Sequence, residues 1–278
     1  MSAYPTSIGA WRILPPGETE LQRGIVRGMD PADGRVVAIK SVPFHLRESP
    51  ERQSWIARLQ REARIVARLA HPNIVPLLEH GEDLGIPYLV FSWQPQATLR
   101  ERLDHGWLPD PAGAVAITQA LLTGLTHIHA CGYRHGDLKP ANLFLAEGAQ
   151  VHIADFGAAS PLGAPAPVDG RLTGTHGFMP PEQLMGFPVD QRADLFAVGV
   201  ILYELLTGTK PFPGETPWER FLRVLAQDPP PLLGEAGRFQ AVLRQALAKR
   251  PDGRFGSALA FAEALQSAFD SMAIPVAM

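Results

Sequence analysis

Cysteine is nearly absent: Cys131 stands alone among 278 residues. That excludes an internal disulfide and any cysteine-based zinc site, and it suits a reducing compartment. Charge is scarcely biased either, at −3 with an isoelectric point near 6.3, so no bulk field draws the chain to nucleic acid or acidic membranes. The longest apolar run, from Leu195 to Leu206, is well short of the ~20 residues that a membrane span needs. The N-terminal MSAYPTSIGAWR has neither the basic nor the apolar region of a signal peptide. A cytoplasmic protein without nucleic-acid or membrane partners is the expectation. The 26 glycines and 27 prolines stay below the ~25–30% that marks low complexity. A length of 278 residues accommodates one domain in two lobes.

What is present changes character along the chain. RVVAIKSV, Arg35 to Val42, follows an Asp33-Gly34 turn signal and is rich in β-branched residues, which reads as a strand. A period of two puts Val36, Ala38 and Lys40 on one face. Ser49-Pro50 reads as a helix start, Ser as N-cap and Pro in the first turn, with Ile56, Leu59, Ala63 and Val66 as the apolar stripe. Glu62 falls on or beside that stripe, and a carboxylate there calls for a cationic partner. Tyr88 to Phe91 reads as a second buried strand. Beyond it, helices are predicted over Ala114–His129, Ala193–Leu206, Trp218–Leu225, Phe239–Ala248 and Ser257–Phe269. The junction between the β-rich and helical parts falls around Ser92 to Ala97. His127 and His129, two apart on a helix, do not share a face, and packing or surface histidines are the reading preferred to a metal site.

Two short stretches carry chemistry. HGDLKPANLF, 135 to 144, holds Asp137 and Asn142 with Lys139 between them. Asp accepts a proton from a hydroxyl, Asn ligates a hard cation through oxygen, and Lys neutralises a phosphate. A polar turn held by Asx hydrogen bonds accounts for the same residues equally well. VHIADFG, Val151 to Gly157, is an apolar strand ending in Asp155, either a second oxygen ligand for Mg²⁺ or an aspartate that begins a turn before glycine.

Together these stretches resemble the eukaryotic-type serine/threonine protein kinase family, from about Trp11 to Phe269. The resemblance implies an α/β (α+β) bilobal fold, with a small β-rich N-lobe over 11–93 and a larger helical C-lobe over 94–269. Residues 11–269 form the kinase domain, and 1–10 and 270–278 are short termini. VAIK ending at Lys40 matches the phosphate-holding lysine, and Glu62 matches the helix glutamate that pairs with it. HGDLKPAN makes Asp137 the catalytic base, Lys139 its charge-neutralising companion and Asn142 a metal ligand. DFG makes Asp155 a ligand for Mg²⁺, with Mn²⁺ as a substitute. Phe91 is the implied gatekeeper, Ser92 to Gln94, including Trp93, the adenine-contacting hinge, and Ala38 and Phe144 the residues sandwiching the adenine. Gly17 and Ile25 are implied nucleotide contacts in and after the glycine-rich hairpin. Gly174-Thr175 and Met179 to Glu182 resemble the end of an activation segment. Asp194 resembles the buried aspartate that braces the catalytic loop, and Arg254 the arginine that pairs with Glu182. ATP and a protein carrying Ser or Thr acceptors are the implied partners, and Lys139 favours those acceptors over tyrosine. A regulatory protein partner is expected as well, since the kinase unit accounts for nearly all of the chain. Composition rich in Arg, Ala and Pro points to a GC-rich bacterial source.

The pattern departs from the family in two places. Gly136 stands where many members carry an arginine that receives an activation-segment phosphate, which implies activity without that phosphate. Ser160, Thr173 and Thr175 are the only hydroxyl side chains between Asp155 and Glu182, and Arg134 is the nearby candidate to substitute for the missing arginine. The stretch PPGETELQRGIVRG, 15 to 28, offers only Gly17 and Gly24 to a glycine-rich hairpin and places Glu18 and Glu20 near the phosphates. HGDL also occurs in small-molecule phosphotransferases of the aminoglycoside and choline kinase type. An ATP-binding pseudokinase scaffold and a small-molecule kinase are therefore the alternative readings.

Overall fold

The computed structural model describes residues 5–15, 24–164 and 177–271. The chain divides into two compact units, one of Met1–His71 with Val75–Pro95 and one of Pro72–Ile74 with Gln96–Met278.

The first unit is a six-stranded antiparallel sheet in the order β1-β2-β3-β4-β6-β5. Its strands are β1 (Ser7–Ile8), β2 (Trp11–Ile13), β3 (Ile25–Met29), β4 (Val36–Ser41), β5 (Leu77–Asp83) and β6 (Ile86–Ser92). β1 adds a strand ahead of residue 11. The Asp33-Gly34 turn joins β3 to β4: Gly34 takes φ +76°, and Asp30 and Asp33 accept the Ala32 and Arg35 N–H groups at 2.9 and 2.8 Å. Alternation in β4 separates two cores. Val37 and Ile39 pack with Ile8, Trp11, Tyr88 and Val90 on one face, while Val42, Leu59 and Leu89 gather with Phe91 on the other. The sheet curls, and side chains join its ends. Trp11 Nε1 and Tyr88 Oη donate to the Glu79 carboxylate at 3.1 and 2.7 Å, and the Gly9 N–H donates to Asp83 at 3.3 Å.

The helix α1 (Arg52–Val66) belongs to this unit. It begins later than Ser49-Pro50 predicts. Ser49 Oγ accepts the Glu51 N–H at 3.2 Å in a local turn, and Glu51, with no side-chain capping bond, is the N-cap. A serine hydroxyl serves a turn as readily as a helix end. Leu59, Glu62, Ile65 and Val66 are the buried residues, so the stripe is shifted from the one the spacing suggests: Ile56 and Ala63 are only partly buried, and Glu62 and Ile65 take their place.

The second unit is helical. It contains α2 (Leu99–Asp104), α3 (Pro111–Ala130), α4 (Pro181–Leu184), α5 (Arg192–Thr207), α6 (Pro217–Ala226), α7 (Gln240–Ala246) and α8 (Ala258–Asp270). α5 is its centre, buried at every residue from Ala193 to Leu205, as expected of a helix that is apolar all round. α3, capped by Asp110 with Pro111 in its first turn, lies between α5 and α8. The predicted Phe239–Ala248 helix resolves into a 3₁₀ stretch, Gly234–Phe239, followed by the shorter α7. Two small sheets complete the unit: β7 (Tyr133–Arg134) with β10 (Ser160–Pro161), and β8 (Leu143–Leu145) with β9 (Val151–Ile153). Among the described residues no helix is long and apolar enough to cross a membrane.

Candidate active site

The residues singled out in the sequence divide between the two units, and each set has its own geometry. In the first unit, register pairs Lys40 of β4 with Ile25 of β3 and Leu89 of β6, and Ala38 with Phe91. Lys40 points to the α1 side, where its ammonium donates to both Glu62 oxygens at 2.7 and 2.8 Å. Glu62 is 1% exposed. This is the cationic partner that a carboxylate on the apolar stripe requires, and two short charge-assisted bonds offset its desolvation. Phe91 packs into the second core. Further along the chain, Arg27 stacks over Trp93 at 5.9 Å and Gln94 Nε2 donates to the Ser92 carbonyl at 3.4 Å. Gly17, Glu18 and Glu20 lie outside the described residues, as do Thr173, Gly174 and Thr175.

In the second unit the loop between β7 and β8 hangs from α5. Asp194, in the first turn of α5, accepts the His135 N–H through Oδ2 and the Gly136 N–H through Oδ1, both at 2.9 Å, and His129 Nε2 meets it at 2.9 Å. Burial alone would push the Asp194 carboxyl up, but the His129 bond, the nearby histidine charge and the Gly136 N–H outweigh it and hold the group below its ordinary value. His129 therefore serves the loop, which the packing-or-surface reading from its position in the sequence does not convey. His135 Nε2 bonds the Ala154 carbonyl at 3.1 Å and its Nδ1 accepts the Asp137 N–H at 3.3 Å. Since a carbonyl only accepts, the ring carries its proton on Nε2.

Two polar side chains meet Asp137. Lys139 Nζ lies 2.6 Å from its Oδ2, and Asn142 Nδ2 donates to its carbonyl at 2.9 Å and its carboxylate at 3.4 Å. The amide end facing Asp137 is thus the nitrogen, and Oδ1 is the opposite end. The Asn142 carbonyl in turn accepts the Ala154 N–H at 2.9 Å, which sets Asp155, next in the chain, beside the Asn142 segment. Asp155 adopts φ +63°, ψ 76°. This left-handed conformation is uncommon outside glycine, and such positions concentrate at functional sites. Phe156 behind it is buried and its ring lies 4.9 Å from that of His135. Phe144 of β8 pairs with His152 and bridges to Thr98. Among the described residues no group of three or more His, Cys, Asp or Glu is placed to hold a metal. Asn142 with Asp155 is a one-amide, one-carboxylate set, which fits an ion that takes most of its remaining ligands from phosphate and water.

Glu182 of α4 meets Arg254 in a two-pronged pair at 2.7 and 2.8 Å. The remaining Arg254 donors go to the carbonyls of Ala248, Arg192 and Lys249, so a guanidinium with 0% side-chain exposure has its full set of acceptors. Arg134, the candidate to substitute for an arginine at 136, is 4% exposed, and that burial lowers its pKa while Asp194 and Asp190 oppose the shift. A site neighbour that the sequence motifs do not flag is Gln183, whose Nε2 reaches the Gly136 carbonyl at 3.4 Å. Its position directly after Glu182 is the one signal that could have found it.

The chain matches the protein kinase domain family over residues 23–269. It belongs to the protein kinase family, with the curled-sheet N-terminal region and helical C-terminal region of that fold. It is 36% identical over 239 residues to a probable serine/threonine-protein kinase of Streptomyces coelicolor, covering 81% of this chain and 35% of that protein. It is 33% identical over 257 residues to the serine/threonine-protein kinase PknL of Mycobacterium tuberculosis, covering 90% and 63%. Pkn1 of Myxococcus xanthus, a serine/threonine-protein kinase, is 36% identical over 248 residues, covering 84% and 35%. The chain thus spans between about a third and just under two thirds of the length of these relatives.

Proposed function

We propose that this protein is a serine/threonine protein kinase that transfers the γ-phosphoryl group of ATP to a Ser or Thr hydroxyl of another protein, with the kinase domain running over residues 11–269. The observation that carries the reading is the Asp137 carboxylate, 2.6 Å from the Lys139 ammonium and bracketed by the Asn142 amide. The names of the bacterial relatives support the same activity. Asp137 orients the acceptor hydroxyl and takes its proton as the new oxygen–phosphorus bond forms and the bond to ADP breaks. Lys139 offsets charge on the group in transit, and Lys40, fixed by Glu62, holds the α- and β-phosphates. Asn142 and Asp155 offer the hard oxygen donors that suit Mg²⁺ or Mn²⁺, and a bound ion would neutralise phosphate charge there. Ile25, Ala38, Phe91, Trp93, Gln94 and Phe144 are assigned to the nucleoside. Catalysis of this kind is positioning and electrostatics, because the loose transition state leaves little covalent chemistry to the protein.

The test is transfer of labelled phosphate from ATP to a generic basic protein and to the enzyme itself. Asp137→Asn should lower kcat by at least ~100-fold, the lower end for losing a positioned acid–base group, with the KM for ATP nearly constant. Wild-type turnover in Asp137→Asn would remove the assignment. A thermal shift with ATP and Mg²⁺ but no transfer would favour the scaffold reading, and transfer only to metabolites the small-molecule one.

A further inference from the structure

The Gly136 peptide is held from two sides. Its N–H donates to Asp194 at 2.9 Å and its carbonyl accepts from Gln183 Nε2 at 3.4 Å. Its φ of +80° lies in the left-handed region, and a Cβ built there would stand 2.8 Å from the Ala158 carbonyl oxygen. A glycine so placed is free to swing unless something fixes its plane. The plane matters because Asp137 follows directly. A shallow recess lined by Gly136, Asp137, Leu138, Met179 and Gln183 adjoins this peptide.

Gln183 is well placed to restrain that motion. It sits on α4 beside Glu182, and Glu182 is locked by Arg254. The chain of contacts runs from a fully satisfied buried guanidinium to a carboxylate, to the neighbouring amide, to the Gly136 carbonyl. Asp194 fixes only the N–H side of Gly136, whereas the Gly136–Asp137 peptide plane is held at both its polar groups, the Asp137 N–H by His135 Nδ1 at 3.3 Å and the Gly136 carbonyl by Gln183 Nε2 at 3.4 Å.

We propose that Gln183 is a positioning residue: its side-chain amide acts with His135 Nδ1 to set the plane of the Gly136–Asp137 peptide and so aims the Asp137 carboxylate, through a neutral hydrogen bond anchored by the Glu182–Arg254 pair. This rests on the kinase reading for what Asp137 does, and on the geometry alone for how it is held.

Gln183→Met keeps the length of the side chain and removes the donor, while Gln183→Lys restores an N–H. In the full chain, Gln183→Met should lower kcat three- to tenfold, leave the KM for ATP and the melting temperature unchanged, and speed amide hydrogen exchange in the 135–138 segment several-fold. Gln183→Lys should return both kcat and exchange to within about twofold of wild type. Unchanged exchange in Gln183→Met, no recovery in Gln183→Lys, or a fall in melting temperature that tracks the loss of kcat would each overturn the proposal. If the wild type transfers no phosphate, the kinase reading fails while the exchange measurement still decides the role of Gln183.

Discussion

At the scale of single residues, the clearest predictions come from charges that burial displaces. Among the described residues, Lys249 has a buried Nζ without a hydrogen-bond partner, 4.0 Å above the Phe212 ring. Burial lowers its pKa from 10.5 to about 8, with Arg254 adding to the shift and Asp228 opposing it. A depressed lysine penalises the folded state fully below the folded value, and the penalty fades as pH climbs toward the unfolded one. Stability should therefore rise between about pH 8 and 10. The side chain is partly exposed, and solvent screening reduces the penalty, so Lys249→Met should stabilise the protein at pH 7 by about 1 kcal/mol. Chemical denaturation at pH 7 and pH 10 checks this, the difference between variant and wild type narrowing at the higher pH. Asp194 runs the other way. Its folded-state pKa is lowered, so the stability it contributes is present at neutral pH and lost as pH falls through the folded value. Asp194→Asn should flatten that acid limb of the melting-temperature profile and loosen the His135–Gly136 segment in hydrogen exchange.

At the scale of elements, the hairpin between β5 and β6 turns through Leu84 and Gly85, with φ +49° and +74°. Positive φ at both positions is the two-residue hairpin geometry that asparagine-glycine prefers. Leu84 is a poor occupant and is 92% exposed, so it gains nothing from burial. Leu84→Asn should raise stability by up to ~1 kcal/mol, a part of the ~1–2 kcal/mol by which the left-handed region disfavours ordinary side chains, read as an upward shift in melting temperature with catalytic constants unchanged. This hairpin also shows where the sequence was and was not legible. β4 and β6 announced themselves by β-branched runs between turn signals. β5, LLEHGED, alternates partly buried with exposed residues and becomes a strand because β6 lies alongside it. α2 went unread: the structure makes a Thr98–Glu101 capping box in both directions, but six residues are too few for a periodic signal. In the candidate site, the meeting of Lys40 with Glu62 and of Asp137 with Asn142 was legible because the resemblance to the family fixes residue type and spacing together. Gln183 and the inward turn of Arg134 were not, because a single polar side chain states no direction until its neighbours are placed.

At the scale of the whole molecule the question is whether an activating phosphate is needed. In the described residues the 135–142 loop is held by groups that are already in place. Asp194 takes two backbone N–H groups, Gln183 meets the Gly136 carbonyl, and Arg254 secures α4. Arg134 is committed to the interior, and Gly136 has no side chain to offer a phosphate. Ser160 is a poor acceptor as it stands: it pairs with Arg134 in the β7–β10 ladder, and its Oγ is buried without a partner among the described residues. Phosphorylation there would have to open that ladder. Phosphatase-treated enzyme and the Ser160→Ala/Thr173→Ala double variant should therefore keep transfer activity within about twofold of wild type. Ser160→Ala alone should be neutral or slightly stabilising, because it removes an unsatisfied buried hydroxyl whose burial costs ~1–3 kcal/mol. Putting arginine at 136 should not install a switch. It places a Cβ against the Ala158 carbonyl in a left-handed conformation, so Gly136→Arg should lower kcat whether or not the protein is phosphorylated. Labelled-ATP turnover of the three proteins before and after phosphatase decides the matter. A collapse in the treated wild type, or a Gly136→Arg enzyme that needs phosphate and then matches wild type, would show that the loop is not set by its own hydrogen bonds.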